Sequence, residues 1–135
     1  MTTTINASPT NGLVQTADGS GVLKVQSNGV TTNALAWVNF NGTPTSGSAT
    51  IRAAYNVSSV SINGTGDYTL NFTNALSDAN YAVTGTSGGN STGLGCVSVP
   101  YSTTAPTTTA LRIQTPYVNG GLEVKAFVSV AIFGN

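Results

Sequence analysis

Charge is the scarcest commodity in this chain. Only 6% of its 135 residues are Asp, Glu, Lys or Arg, four of each sign, and there is no histidine. Ordinary globular proteins carry about 25%. Without histidine, acid–base chemistry near neutral pH lacks its usual carrier. The four carboxylates, Asp18, Asp67, Asp78 and Glu123, lie far apart in the sequence. The first three sit among turn-forming residues and read as turn formers, while Glu123 and Lys125 read as a same-face pair on a strand, solvated or cross-strand. Serine and threonine abound, but no base stands ready for them and no G-x-S-x-G elbow occurs. The single cysteine, Cys96 in "GLGCVSVPY", excludes an intrachain disulfide. No histidine or neighbouring cation lowers its pKa, so it reads as a small buried hydrophobe on a strand. One cysteine, no histidine and no clustered acidic loop leave nothing to ligate a metal. The expectation is a protein that is not an enzyme, with no catalytic, cofactor-binding or metal-binding residue and no cofactor.

Other absences narrow the partners. Lys24, Arg52, Arg112 and Lys125 are scattered, so there is no basic patch for counterion release and nucleic acid is excluded as a partner. No apolar run approaches the roughly 20 residues of a membrane-spanning helix, and none is expected to insert. The opening "MTTTINASPTNG" has neither the basic region nor the apolar run of a secretory signal, which predicts synthesis in the cytoplasm. "TSGGNSTGLG" is glycine-rich but lacks the lysine and the following helix of a phosphate cradle. The N-x-S/T triplets at Asn41, Asn56, Asn63 and Asn71 follow from an Asn/Ser/Thr-rich composition.

What fills the chain instead is Thr, Ser, Asn and 16 Gly, arranged in short alternating runs. In "SSVSINGTGDYTLNF", Ser58, Val60 and Ile62 share one face, and Tyr68, Leu70 and Phe72 share the next. A turn centred on Thr65 pairs Ile62 with Tyr68, Val60 with Leu70 and Ser58 with Phe72, with Gly64 and Gly66 supplying positive φ angles. "IRAAYNV" places Ile51, Ala53, Tyr55 and Val57 on one face. "YAVTGT", "LGCVSVPY" and "ALRIQTPY" follow as further strands, the last with Leu111, Ile113 and Tyr117 inward. "GLEVKAFVSVAIF" aligns Leu122, Val124, Ala126, Val128, Val130 and Ile132, with Phe127 and Phe133 opposite, so this strand is expected to be covered on both faces, as a central strand or at a subunit contact. "TNALSDANY" reads as a loop with at most one helical turn. Glycine, proline and asparagine punctuate the runs. The fold class is all-β, an antiparallel β-sandwich, jelly-roll-like or barrel-like. A short N-terminal β-hairpin, "LVQT" and "VLKVQ" around "ADGSG", forms an arm too thin to fold alone. The expected division is an anchoring arm over 1–35 and the sandwich over 36–135.

Six aromatics offer rings to a sugar: Trp37, Tyr55, Tyr68, Tyr81, Tyr101 and Tyr117. Most fall on faces read as inward, where core packing is the default. Tyr101 and Tyr117 border proline-containing loops and are the first candidates for exposure.

The motifs "AWVNFNG" (Ala36, Trp37, Phe40, Gly42), "IRAAYNVSSV" (Ile51 to Val60) and "GTGDYTLNF" (Gly64 to Phe72) resemble a module common near the C-termini of bacteriophage tail-fibre and other virion structural proteins. The closing "VSVAIFGN" is similar to the usual close of such proteins, and "TINASPTNGLVQTADGSGVLKVQSNG" resembles the short segment that often precedes the module. The resemblance implies a virion component that forms a homotrimer, and it brings no catalytic residues. A charge-poor chain with net charge near zero is itself prone to associate, and three-fold association covers strand edges. Long fibres carry stalks that this sequence does not contain. The expectation is therefore a short tail fibre or knob, attached through its arm and touching a host-surface glycan. The alternatives are a capsid decoration or head-fibre protein, and a free carbohydrate-binding module. The sequence assigns no receptor-binding residue.

Overall fold

The computed structural model describes residues 25–27, 30–89 and 95–134. Among them there is no helix. After a small pair, β1 (Gln26–Ser27) and β2 (Val30–Thr31), come β3 (Ala36–Asn41), β4 (Gly47–Ser48), β5 (Thr50–Tyr55), β6 (Val57–Gly64), β7 (Asp67–Phe72), β8 (Ala82–Gly88), β9 (Ala110–Gln114) and β10 (Phe127–Phe133). The last eight form two four-stranded antiparallel sheets, β5-β3-β10-β8 (sheet I) and β4-β6-β7-β9 (sheet II). The molecule is a β-sandwich. "LVQT" and "ADGSG" of the expected arm hairpin lie outside the described residues; the pair that is described joins Gln26 to Thr31 and Ser27 to Val30.

Alternation decides which side chains meet between the sheets. Ala36, Val38 and Phe40 of β3 and Val128, Val130 and Ile132 of β10 point inward from sheet I; Val60, Tyr68, Leu70, Leu111 and Ile113 answer from sheet II. Burying an aliphatic or aromatic side chain of this size contributes about 1.5–3 kcal/mol, and Phe40 and Tyr68 add an edge-to-face contact at 5.1 Å.

Both lateral sides of the sandwich are laced. On one, the chain steps directly from β4 in sheet II to β5 in sheet I and back to β6. On the other, the expected strand "LGCVSVPY" is a connector with two isolated bridges: Cys96 to Thr86 on sheet I, and Ser98 to Gln114 on sheet II. Because it rides over the edge, Cys96 is exposed rather than buried.

The structure departs from the alternation reading at three further places. "IRAAYNV" is not one strand: β5 ends at Tyr55, Asn56 turns with φ 54, and Val57 opens β6 in the other sheet. Ala53 is exposed and Val57 is buried, so they do not share an environment. Next, Ser58 does not pair with Phe72. Val57 does, and Ser59 pairs with Asn71, leaving Ser58 as the extra residue of a bulge. The slip lets Val57 and Val60, of opposite parity, both reach the core. Finally, the last apolar row is not a single strand. Residues 122–126 are irregular, and Lys125, which strict alternation places outside, is 2% exposed. The 73–81 segment is a loop without a helical turn, pinned by buried Leu76, whose amide donates to the Thr108 carbonyl at 2.8 Å.

The β6–β7 hairpin keeps the expected Ile62–Tyr68 and Val60–Leu70 pairs. Only Gly66 takes positive φ (64°); Gly64 does not. Gly66 is doubly constrained, because a Cβ there would meet the Glu123 backbone at 2.6 Å.

The strand directions give the sandwich two different ends. Leu35, whose amide donates to the Ile132 carbonyl at 2.8 Å, and Gly134, packed near Leu35 and Tyr81, share one end. The β6–β7 turn and the 115–126 segment share the other.

Asn56 fastens the first end. Its side chain donates to the Leu35 and Asn74 carbonyls, both at 3.2 Å, and accepts from the Asn74 amide at 2.8 Å. Left-handed backbone costs a residue with a Cβ about 1–2 kcal/mol, and each net hydrogen bond contributes about 1 kcal/mol. Asn56→Ala is expected to lower stability in urea by about 3 kcal/mol, and Asn56→Gly by about 1 kcal/mol less, because glycine accepts the φ angle. Equal losses would show that the backbone conformation is not the constraint.

Candidate functional site

The two sheets expose very different outer faces. On sheet II the outward residues satisfy one another. Asn71 donates to the Ser59 and Ser61 hydroxyls at 3.0 and 3.1 Å, and Asn63 donates to the Thr69 hydroxyl at 2.9 Å and to Asp67 at 3.0 Å. Arg112 grips Asp67 with two parallel bonds, Nε to Oδ1 at 2.8 Å and Nη2 to Oδ2 at 2.7 Å, and Gln114 adds a donor at 2.8 Å. Asp67 is consequently 6% exposed. It is not merely a turn former: it is the centre of a cross-strand network, which its position between "GTG" and "YTL" did not announce.

The outer face of sheet I carries rings instead. Trp37 is 39% exposed, Phe127 49% and Phe133 38%. Trp37 aligns with Ala131 and Thr84 across the strands, and Asn39 aligns with Ser129 and Thr86, bounding a shallow trough of about 400 Å3. Asn39 donates to the Ser129 hydroxyl at 2.7 Å. Arg52 lies 5.5 Å from the centre of the Phe127 ring and donates to the Ala126 carbonyl at 2.7 Å. β10 is a central strand, but the expected cover on its outer face is missing: no strand or loop among the described residues lies over it, only neighbouring side chains such as Arg52 against Phe127. The sequence reading did not single out Trp37 for exposure, although the alternation of Ala36, Val38 and Phe40, all buried, places it outward.

The remaining sequence candidates separate. Asp18 lies outside the described residues. Asp78 accepts from the Asn80 amide at 2.6 Å, the geometry of a turn former. Glu123 accepts from Lys125 at 2.8 Å, but neither is on a strand and the lysine side chain is only 2% exposed, so this is not a solvated pair. Asp67 and Glu123 thus come to the same end of the sandwich in the grip of different cations. Among the described residues no group of three or more His, Cys, Asp or Glu could hold a metal ion. Of "TSGGNSTGLG", only Thr86–Gly89 and Gly95 are described.

The aromatics divide likewise. Tyr68 is fully buried and donates to the Gly42 carbonyl at 2.6 Å. Tyr81 packs edge-on against Phe72 and donates to the Thr107 carbonyl at 3.0 Å; burial pushes its phenol up to about 12. Tyr101 is 72% exposed on the 100–104 turn. Tyr117 is half-buried and, with Asn119, Gly121, Leu122 and Glu123, lines an open groove of about 410 Å3 at the end away from Leu35 and Gly134. Sequence reading singled out Tyr117 but not Asn119 or Glu123 as its neighbours, because the irregular backbone that gathers them has no period.

Comparison of the chain with protein-family models, with curated proteins and with solved structures finds no match.

The Asp67 network has a pH signature. The Arg112 hydrogen bonds, helped by Asn63 and Gln114 and opposed by burial, lower the Asp67 carboxyl from 3.8 to about 2. The folded pKa lies below the unfolded one, so the ionised form stabilises the fold. That contribution, about 2 kcal/mol, is fully present above the unfolded value and drains as pH falls towards about 2. Urea midpoints for the native protein and Asp67→Asn should therefore differ most near neutral pH. The gap should narrow by about 2 kcal/mol at about pH 2. A gap that does not change with pH would mean the carboxylate charge contributes nothing.

Proposed function

We propose that this protein is a virion structural subunit of the bacteriophage tail-fibre type. It forms a short homotrimeric fibre or knob anchored to the particle through residues 1–35, with the sandwich projecting from the anchor. The proposal assigns it no catalytic role.

The observation that carries the reading is the contrast between the two outer faces. Sheet II covers its own polar groups. Sheet I leaves three aromatic rings in water on a chain with almost no charge to keep copies apart. Three copies that turn this face towards a common axis would bury Trp37, Phe127 and Phe133 together. A closed three-fold arrangement also avoids the open-ended growth of a head-to-tail contact. The placement of Leu35 and Gly134 at one end supports anchoring there, with the 115–126 loops at the free end. The motifs from Ala36 to Phe72, similar to those of fibre-type modules, point the same way.

Light scattering across a concentration series tests the proposal. A species of three times 13.6 kDa is expected. Phe127→Ser combined with Phe133→Ser should give a folded monomer, because both rings already face solvent within one chain. A native protein that stays monomeric at every concentration would sink the self-assembling fibre. It would favour a capsid decoration protein that oligomerises only on the shell, recognised by many copies per particle rather than a few.

A further inference from the structure

The groove at the free end is built more firmly than its loop position suggests. The chain from Pro116 to Leu122 closes on itself: a β-bridge joins Pro116 to Leu122, the Tyr117 amide donates to the Gly121 carbonyl at 2.8 Å, and the Gly120 amide donates to the Tyr117 carbonyl at 3.0 Å. Gly120 takes φ 79, which favours glycine. Below the loop, the Glu123 amide donates to the Thr115 carbonyl at 3.0 Å, and the Thr115 amide to the Gly66 carbonyl at 2.9 Å. Glu123 therefore has a fixed backbone. Its carboxylate is held by Lys125, itself almost fully buried, and 27% of its side chain stays open.

Three kinds of contact converge here. Tyr117 contributes the surface of a ring to the groove, Asn119 an exposed amide that both donates and accepts, and Glu123 a carboxylate paired with Lys125 and partly open to the groove. A pyranose presents the matching set: an apolar C–H face for the ring, and neighbouring hydroxyls that donate to the carboxylate and exchange with the amide. The volume of about 410 Å3 lies at the small end of ligand sites, enough for one or two sugar rings. Charge sets the class. The Glu123 carboxylate is the member of its ion pair that lines the groove, with Lys125 buried behind it, so an anionic sugar or phosphate meets the negative group first. The pair as a whole is neutral and offers no strong site to a bare cation.

We propose that the Tyr117–Asn119–Glu123 groove is a binding site for neutral, pyranose-containing saccharides. It rests on the anchoring reading above for its place at the free end of the assembled particle, while its chemistry is that of the chain alone. The trough beside Trp37 is the competing location, but a trimer that buries sheet I would close it.

Saturation-transfer NMR on the full chain tests this, with the methyl glycosides of glucose, galactose, mannose and N-acetylglucosamine as probes and a methyl sialoside as the anionic control. At least one neutral glycoside should bind with a millimolar Kd, and the sialoside at least about tenfold more weakly. Tyr117→Ala and Asn119→Ala should each weaken binding by about tenfold or more. Asn119 is exposed, so its variant should fold even if the tyrosine variant does not. Tyr101→Ala, outside the groove, should bind as the native protein does. Absence of transfer to every neutral glycoside overturns the proposal. So does binding that survives Asn119→Ala and is lost in Trp37→Ala, which would place the site on sheet I. A trimer without sugar binding would leave the fibre reading standing alone, and a monomer that binds would leave the groove standing without the fibre.

Discussion

The Tyr68 hydroxyl is the contact on which the end of the sandwich remote from Leu35 depends. Tyr68 rises from the inner face of sheet II, packs edge-on against Phe40 of sheet I, and donates to the carbonyl of Gly42, just past the end of β3. One side chain thus spans the core and ties the sheets together by both packing and hydrogen bonding. Gly42 must be glycine for this to work, since a Cβ there would meet the Tyr68 hydroxyl at 2.7 Å and the Lys125 carbonyl at 2.9 Å. The same Gly42 donates its amide to the Lys125 carbonyl at 3.0 Å. From that point the chain carries the Lys125 ammonium back to Glu123. A loop that lacks regular structure is thereby referenced to the centre of the core.

A chain with so few charges can place each one where it matters most. Two ion pairs, Arg112–Asp67 and Lys125–Glu123, stand at the end remote from Leu35, and each has one member withdrawn from water. Burying a charge is costly unless a partner and hydrogen bonds accompany it. Asp67 receives four donors from three side chains, Arg112, Asn63 and Gln114. Elsewhere the polar work falls to neutral amides and hydroxyls, which are weakly screened by salt and indifferent to pH.

The core was legible because alternation is a strict rule wherever one face of a strand is buried. Val60, Leu70, Leu111, Ile113, Val128, Val130 and Ile132 follow it, and so do the Ile62–Tyr68 and Val60–Leu70 pairs of the central hairpin. The failures lie where backbone conformation, not side-chain period, decides. Asn56 reads as an ordinary member of "IRAAYNV", yet its left-handed φ divides the run between two sheets. Ser58 slips the register because a bulge adds a residue that no composition rule counts. Lys125 enters the core because a nearby carboxylate receives it, a pairing in space that its own position does not advertise. Of the groove, only the ring of Tyr117 had a sequence signal, its proximity to a proline-containing loop. Asn119 and Glu123 join it through bonds made by the backbone between Thr115 and Leu122.

The two surfaces left open by the fold differ in the physics they invite. The rings of sheet I lie on a broad face about four strands wide, roughly 19 Å at the usual strand spacing. A broad apolar face gains most from another broad face, where the hydrophobic term grows with the area covered. The groove beside Tyr117 combines apolar surface with the Asn119 amide and the Glu123 carboxylate, so matched hydrogen bonds add there to what area alone contributes. One surface favours copies of a large partner, and the other a small ligand. They lie on different parts of the sandwich, the first along its side and the second at the end remote from Leu35. Side-by-side association therefore leaves the groove open, and each added copy would place another weak site at the same end. Linked sites of millimolar affinity become effective together when a short scaffold holds them within reach of one surface, because the later contacts are made at high effective concentration. In the proposed assembly, association along the side and weak recognition at the end remote from Leu35 would reinforce one another.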